Sequence, residues 1–134
     1  MSIEENKRLA RQFIDHLTVN DIAGALDLMA DDATWWIAGK PDQLPAAGVY
    51  DKKRIARLLY NMVGQLPNGL KMIVKNLVAE GDKVAMEVES YGALQNGLIY
   101  NQQYHFLLTV RDGKIDSIKE YLDTQHVYAT WFQQ

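Results

Sequence analysis

LIYNQQYHFLLTVRDGKIDSIKEYLD, residues 98–123, is two apolar-rich runs split by Asp112-Gly113. Asp-Gly tolerates positive φ at both positions of a two-residue turn, so the runs pair as an antiparallel hairpin. Two more such runs lie upstream, LKMIVKNLVA (70–79) and KVAMEVESYG (83–92), with EGD between them and QNG after the second. These are hairpin signals too. The second half of the chain reads as four strands, 70–79, 83–92, 98–110 and 114–123, joined in a meander.

The first half has a different period. Ile3, Ala10, Phe13, Ile14 and Leu17 recur at helical spacing with charges between them, which predicts one amphipathic helix. Asn20 or Asp21 is placed to cap a second helix carrying Ile22, Ala25, Leu26 and Met29, ended by Asp31-Asp32. ATWWI (33–37) predicts a short strand, and the Gly and Pro of GKPDQLPAAG (39–48) a loop. Asp51 caps a third helix with Ile55, Leu58, Leu59 and Met62 inward, closed by Gly64 and Pro67. Thr124 can cap a short final helix. Helices first and an antiparallel meander after them predict α+β, the helices gathered on one face of the sheet.

The chain's 134 residues fit one domain, 1–134, with room for a sizeable core. A net charge of −3 gives no basic surface for nucleic acid. No apolar run of membrane-spanning length occurs, and the acidic, helical start does not resemble a signal peptide. Cysteine is absent, which removes disulfides, thiolate metal sites and cysteine nucleophiles, and fits a cytoplasmic protein. The three histidines, His16, His105 and His126, have no metal-binding spacing, no nucleotide-binding glycine loop is present, and Ser90 lacks a nucleophile-elbow context. Neither metal nor cofactor is expected.

Counting residue pairs back from Asp112-Gly113 places Leu107 opposite Ile118, His105 opposite Glu120 and Gln103 opposite Leu122. Directly opposed side chains share a face. Asn101, Gln103, His105 and Glu120 are thereby expected on one surface, joined by Met86, Val88 and Ser90 when the same count is applied to Asn96-Gly97. An apolar surface with a few convergent polar groups is what a small-molecule pocket requires. A carboxylate desolvated there is pushed toward neutral pKa, which suits Glu120 to acid or base work with His105 as its coupled partner. A structural Glu–His pair that fixes strand register is the other role open to these residues. Asn101 and Gln103 are candidates to orient a ligand oxygen, and Trp36, Tyr60 and Val88 to wall the cavity. Of Trp35 and Trp36, one faces in and one out. Asp123 ends the strand or caps the last helix. A bulge in either hairpin would exchange the faces beyond it. The opposite face is expected to carry Glu87, Glu89, Tyr91, Tyr104, Phe106, Lys119 and Tyr121, an aromatic patch suited to a homodimer.

Two opening helices, the DDATWWI strand, the helix from Asp51, and Y-N-x-x-Y-H-F…V-R-D-G-K-I…K-E-Y-L-D-T together resemble the SnoaL-like polyketide cyclase and ketosteroid isomerase-like family of the nuclear transport factor two-like superfamily. The resemblance implies a cone in which a curved antiparallel sheet and three N-terminal helices enclose an apolar cavity, with dimers formed through the outer sheet face. It also implies cofactor-free chemistry on a pocket carboxylate, with Glu120 at the position of the last-strand acid of epoxide hydrolases. Where those hydrolases carry Arg and Asp two apart, this chain has Asn101, Gln103 and His105, and its first helix lacks the isomerase tyrosine. The expected function is proton transfer, as in an isomerase or cyclase, on a small apolar carbonyl-bearing or polycyclic molecule. The alternative is a non-catalytic ligand-binding or dimerisation module of the same fold.

Overall fold

The computed structural model describes residues 2–133. Helix α1 (Ile3–Thr18) opens on a reciprocal cap: Ser2 Oγ accepts from the Glu5 N–H at 3.1 Å and the Glu5 carboxylate accepts from the Ser2 N–H at 3.0 Å. Its buried stripe is Leu9, Ala10, Phe13, Ile14 and Leu17, while Ile3 stays exposed. Asp21 caps α2 (Ile22–Asp27) by accepting from Gly24 N–H at 2.9 Å, and Asp51 caps α3 (Lys52–Gly64) by accepting from Arg54 N–H at 2.8 Å. Both starts lie where short polar side chains can meet the unpaired first-turn donors. Among the described residues, no helix is long and apolar enough to cross a membrane.

The strands are β1 (Met29–Ile37), β2 (Gly48–Asp51), β3 (Lys71–Glu80), β4 (Lys83–Ala93), β5 (Ile99–Tyr100), β6 (Gln103–Arg111) and β7 (Lys114–Leu122). They form one curved, open sheet in the order β2-β1-β7-β6-β4-β3, with β5 paired to β4 beside that path. The four-strand meander stands as predicted, but the sheet is mixed rather than antiparallel. β1 runs parallel to β7, Trp35 beside Ile118 and Ile37 beside Glu120. No turn joins these two strands, so no turn chemistry records their direction. β1 also starts earlier than expected and contains Asp31-Asp32, and β2, which begins at Gly48 where the predicted loop ends, pairs with it. Helix α1 packs on β3 and β4, and α2 and α3 on β1. The core lies between these helices and the inner sheet face, around Phe13, Ile14, Ile55, Met86, Phe106, Leu108, Ile115 and Ile118.

Strand β6 is turned over relative to the predicted pairing. Arg111 does oppose Lys114 across the Asp112-Gly113 turn, but the register shifts between Val110↔Ile115 and Thr109↔Ser117. Asp116 is the extra residue, bulged out and held by Arg111 at 2.8 Å. Beyond it Phe106 opposes Glu120, His105 opposes Tyr121, and Tyr104 opposes Leu122. The other hairpin differs by one residue as well. Leu94 and Leu98 close a three-residue loop, Gln95-Asn96-Gly97, with the Leu94 N–H donating to Leu98 O at 2.9 Å and Gly97 at φ 92°. A type I turn closed by a left-handed glycine has this shape. Both neighbours of β6 keep the predicted faces while β6 itself flips, so Tyr104 and Phe106 are buried and Gln103 and His105 are exposed. The outer aromatic patch expected to form a dimer loses Tyr104 and Phe106. Tyr91 (56 % exposed) and Tyr121 (43 %) remain on it, with Trp36 edge-on to Tyr121 at 5.1 Å.

The predicted strand 98–110 is broken at Asn101-Gln102, and Gln102 repairs the break. Its buried amide acts as a surrogate peptide group: Oε1 accepts from Asp123 N–H at 2.8 Å and Gln103 N–H at 2.9 Å, and Nε2 donates to Asp123 O at 2.9 Å. Asp123, thus fixed, caps the final helix α4 (Thr124–Val127) by accepting from His126 N–H at 3.0 Å, and a π-helical turn (Tyr128–Phe132) follows. Asp123 rather than Thr124 is the cap. Truncating Gln102 to Ala leaves two part-buried N–H groups and a carbonyl without their partner, and should cost about 1 kcal/mol. Urea unfolding of the variant measures it; an unchanged midpoint would show that the break closes without the amide.

Candidate functional site

Between the helices and the inner sheet face lies a cavity of about 180 Å³. Trp35 and Ile37 of β1, Tyr104 of β6, Glu120 and Leu122 of β7 and Tyr100 of β5 line its sheet side. Ile55, Leu58, Leu59 and Met62 of α3 face them, as the spacing of that helix predicts, and Val63 joins them. Val127, Trp131 and Phe132 contribute from the C-terminal turn, and Asn20, Asn61 and Gln65 supply polar atoms. The walls are otherwise aliphatic and aromatic.

Among the described residues, Glu120 is the only carboxylate in the lining. It is 8 % exposed, and its one side-chain hydrogen bond among the described residues comes from Trp35 Nε1 to Oε1 at 2.9 Å. Burial disfavours the charged form and pushes its pKa from the ordinary 4.5 to about 7, and the Trp35 hydrogen bond opposes this only in part. Trp35 is itself fixed by Phe13, ring centres 5.7 Å apart, and by the edge-on ring of Phe106 at 6.3 Å. The parallel pairing with β7 sends Trp35 inward with Ile118 and Glu120. The carboxyl is therefore held by rigid strands on a well-packed indole.

Two buried hydroxyls accompany it. Tyr100 and Tyr104 are hydrogen-bonded to each other, oxygen to oxygen at 3.1 Å. Burial raises both phenol pKa values above their ordinary 10, and the proximity of Glu120 raises them further. Both groups therefore stay protonated as donors. Each hydroxyl has one proton and the pair uses one of them internally, leaving one to offer elsewhere. Neither tyrosine was placed in the pocket from the sequence; the flipped phase of β6 put Tyr104 on the wrong face. The signal was there in the alternation Tyr104, Phe106, Leu108, Val110 against Gln103, His105 and Thr109.

Of the residues expected at the site, Glu120 alone is found in the cavity wall. His105 lies on the outer face across from Tyr121 and Glu87, so the Glu120–His105 pair does not form. Gln103 shares that outer face, and exposed Asn101 donates its amide to Glu89 at 3.1 Å and to Ser90 O at 2.7 Å. Trp36 points outward beside Tyr121, and Trp35 takes the inward place. Tyr60 projects from the outer side of α3 at 54 % exposure. Val88 is buried on the inner face but belongs to the core rather than the cavity wall. His16 is bonded to Asp21 at 2.9 Å, and His126 stacks on Tyr100 while its Nε2 accepts from Asn101 N–H at 3.1 Å; both serve local structure. Among the described residues, no three His, Asp or Glu side chains are grouped to hold a metal ion.

The architecture recurs in known proteins. An NTF2-like protein from Burkholderia xenovorans superposes with a TM-score of 0.75 at 26 % identity, over 96 % of this chain and 97 % of that one. An LEH-like epoxide hydrolase of M. tuberculosis gives 0.76 at 20 % identity over 95 % and 89 %. AusH from Aspergillus nidulans gives 0.81 at 15 % over 92 % and 86 %. No curated protein matches the sequence significantly. The profile of the SnoaL-like domain matches residues 10–118, from the buried stripe of α1 to the middle of β7. With that match and the helix-lined cavity on a curved mixed sheet, this chain belongs to the SnoaL-like domain family.

Proposed function

We propose that the chain is an enzyme that moves a proton on a small apolar, carbonyl-bearing molecule without a bound cofactor, with Glu120 as acid and base. The observation that carries this reading is a single carboxyl, poised near pH 7, at the wall of an apolar cavity. A general base works best when its pKa lies near the working pH. Glu120 takes a proton from the carbon next to a carbonyl, and electron density moves onto the carbonyl oxygen. Tyr104, with its hydroxyl bonded to that of Tyr100, donates to that oxygen as the charge develops. Return of the proton to another carbon of the same molecule gives isomerisation; attack of the enolate on a second carbonyl gives ring closure. Epoxide opening is less well supported, since it asks for a base on water and an acid on the ring oxygen, and the described lining holds one carboxylate.

Deuterium uptake at the α-carbons of small cyclic ketones in D₂O, followed by proton NMR, tests the proposal. Exchange accelerated by the wild-type chain and not by Glu120→Gln supports it. Binding without accelerated exchange would identify a ligand-binding module instead. Tyr104→Phe should slow exchange by up to about 10²-fold, the lower range for losing one preorganised donor. The pH at half-maximal rate should stay near that of Glu120, because the base is untouched. An unaltered rate in this variant would remove Tyr104 from the chemistry.

A further inference from the structure

Among the described residues, the buried indole N–H of Trp131 makes no hydrogen bond of good geometry, the Tyr100 side chain being its neighbour. Its Nε1 is sealed from solvent. An indole nitrogen only donates, and folded proteins seldom leave such a group unpaired without a reason. The ring lines the cavity and stands edge-on to Tyr100, centres 5.4 Å apart. Tyr100 in turn is bonded to Tyr104. The cavity wall thus holds the Tyr100–Tyr104 hydroxyl pair, with one proton to offer, and beside Tyr100 the Trp131 indole, whose N–H is covered. The π-helical turn Tyr128–Phe132 carries the indole, and such turns are uncommon and frequent at functional sites.

Charge narrows the ligand further. Among the described residues, the lining contains no Lys, Arg or His. A carboxylate or phosphate seated there would be desolvated without a counter-charge and would share the space with Glu120. Size narrows it again, because a dry cavity of about 150 Å³ accommodates a benzene ring. At about 180 Å³ this one takes one or two rings, not four.

We propose, building on the cavity as the substrate site, that it selects an uncharged one- or two-ring compound with two acceptor oxygens. One oxygen meets Tyr104 beside Glu120, and the other meets the Trp131 N–H through a small rotation of the indole. Trp131 is then a positioning residue that sets specificity, and a polycyclic substrate is disfavoured.

Three probes of one skeleton test this: indan-1-one, 5-hydroxyindan-1-one and 1-oxoindane-5-carboxylate, titrated calorimetrically into wild type and Trp131→Phe. The hydroxyketone should bind wild type at least about tenfold more tightly than indan-1-one, and the carboxylate at least about 100-fold more weakly than the hydroxyketone. Trp131→Phe should erase the advantage of the second oxygen, bringing the hydroxyketone and indan-1-one to within about twofold of each other whatever it does to both, a ratio that a merely structural indole would not move. Equal binding of all three probes by wild type, or no binding of any at 1 mM, would overturn the proposal without recourse to the variant. So would a hydroxyketone preference that survives in a folded Trp131→Phe. If the preferences appear but no probe exchanges deuterium, the ligand class stands and the proton-transfer reading falls.

Discussion

Glu120→Gln is expected to slow proton exchange by about 10²–10⁴-fold, the usual worth of a positioned general acid or base. The replacement is close to isosteric, and its amide oxygen can still accept from Trp35 Nε1, which holds the native carboxylate at 2.9 Å. What it lacks is a group that takes and returns a proton near pH 7. Because the carboxyl has no other side-chain hydrogen bond among the described residues, little else is broken. Binding of a neutral ketone should therefore persist, and the loss should fall on kcat. A variant that binds and exchanges at the wild-type rate would place the chemistry elsewhere.

The same substitution should change how stability depends on pH. Glu120 holds its proton more tightly in the folded chain, with a pKa near 7 against an ordinary 4.5. Below 4.5 the group is protonated in both states and costs nothing. Between 4.5 and 7 the unfolded chain releases the proton and the folded one keeps it, so folding stability falls as pH rises. At about 1.4 kcal/mol per tenfold change, the whole window is worth roughly 3 kcal/mol. Wild type should thus lose roughly 3 kcal/mol relative to Glu120→Gln between pH 4 and pH 8, on the order of 10 °C in melting temperature for a chain of this length. Paired melts across that range cancel the contributions of the histidines common to both proteins. Parallel curves would mean that the carboxyl is solvated in the folded state.

The parts of this protein that local chemistry controls were legible in its sequence. Asp21 and Asp51 cap helices because first-turn N–H groups need short acceptors, and the α3 residues spaced to face inward do line the cavity. Glu120 lies on the face that counting from the turn assigned it, because β7 alternates regularly from Ile118 to Leu122 beyond the bulge. The partners of Glu120 were not found, because turn counting outweighed the alternation of β6. Ile115 and Ile118 are three apart and both buried, a spacing that a regular strand cannot produce and a bulge at Asp116 can. Reading that interval would have shifted the register by one residue. His105, Gln103 and Asn101 would then have gone to the outer surface, and Tyr104 to the pocket. The parallel contact of β1 with β7 is of another kind, since no short segment records which way a distant strand runs. The roles of Trp35 and Gln102 follow from that tertiary pairing and from a break in β6, and neither leaves a local signature.

The central claim is that Glu120 is a carboxyl poised for proton transfer at neutral pH, and its own titration tests this most directly. Carbon-13 NMR of the chain labelled at glutamate side-chain carboxyls gives a resonance for each, and the Glu120 signal is the one missing from Glu120→Gln. A midpoint near pH 7 is expected for that signal. A midpoint at the ordinary value near 4.5 would contradict the claim, leaving Glu120 ionised throughout the neutral range and without a proton to give.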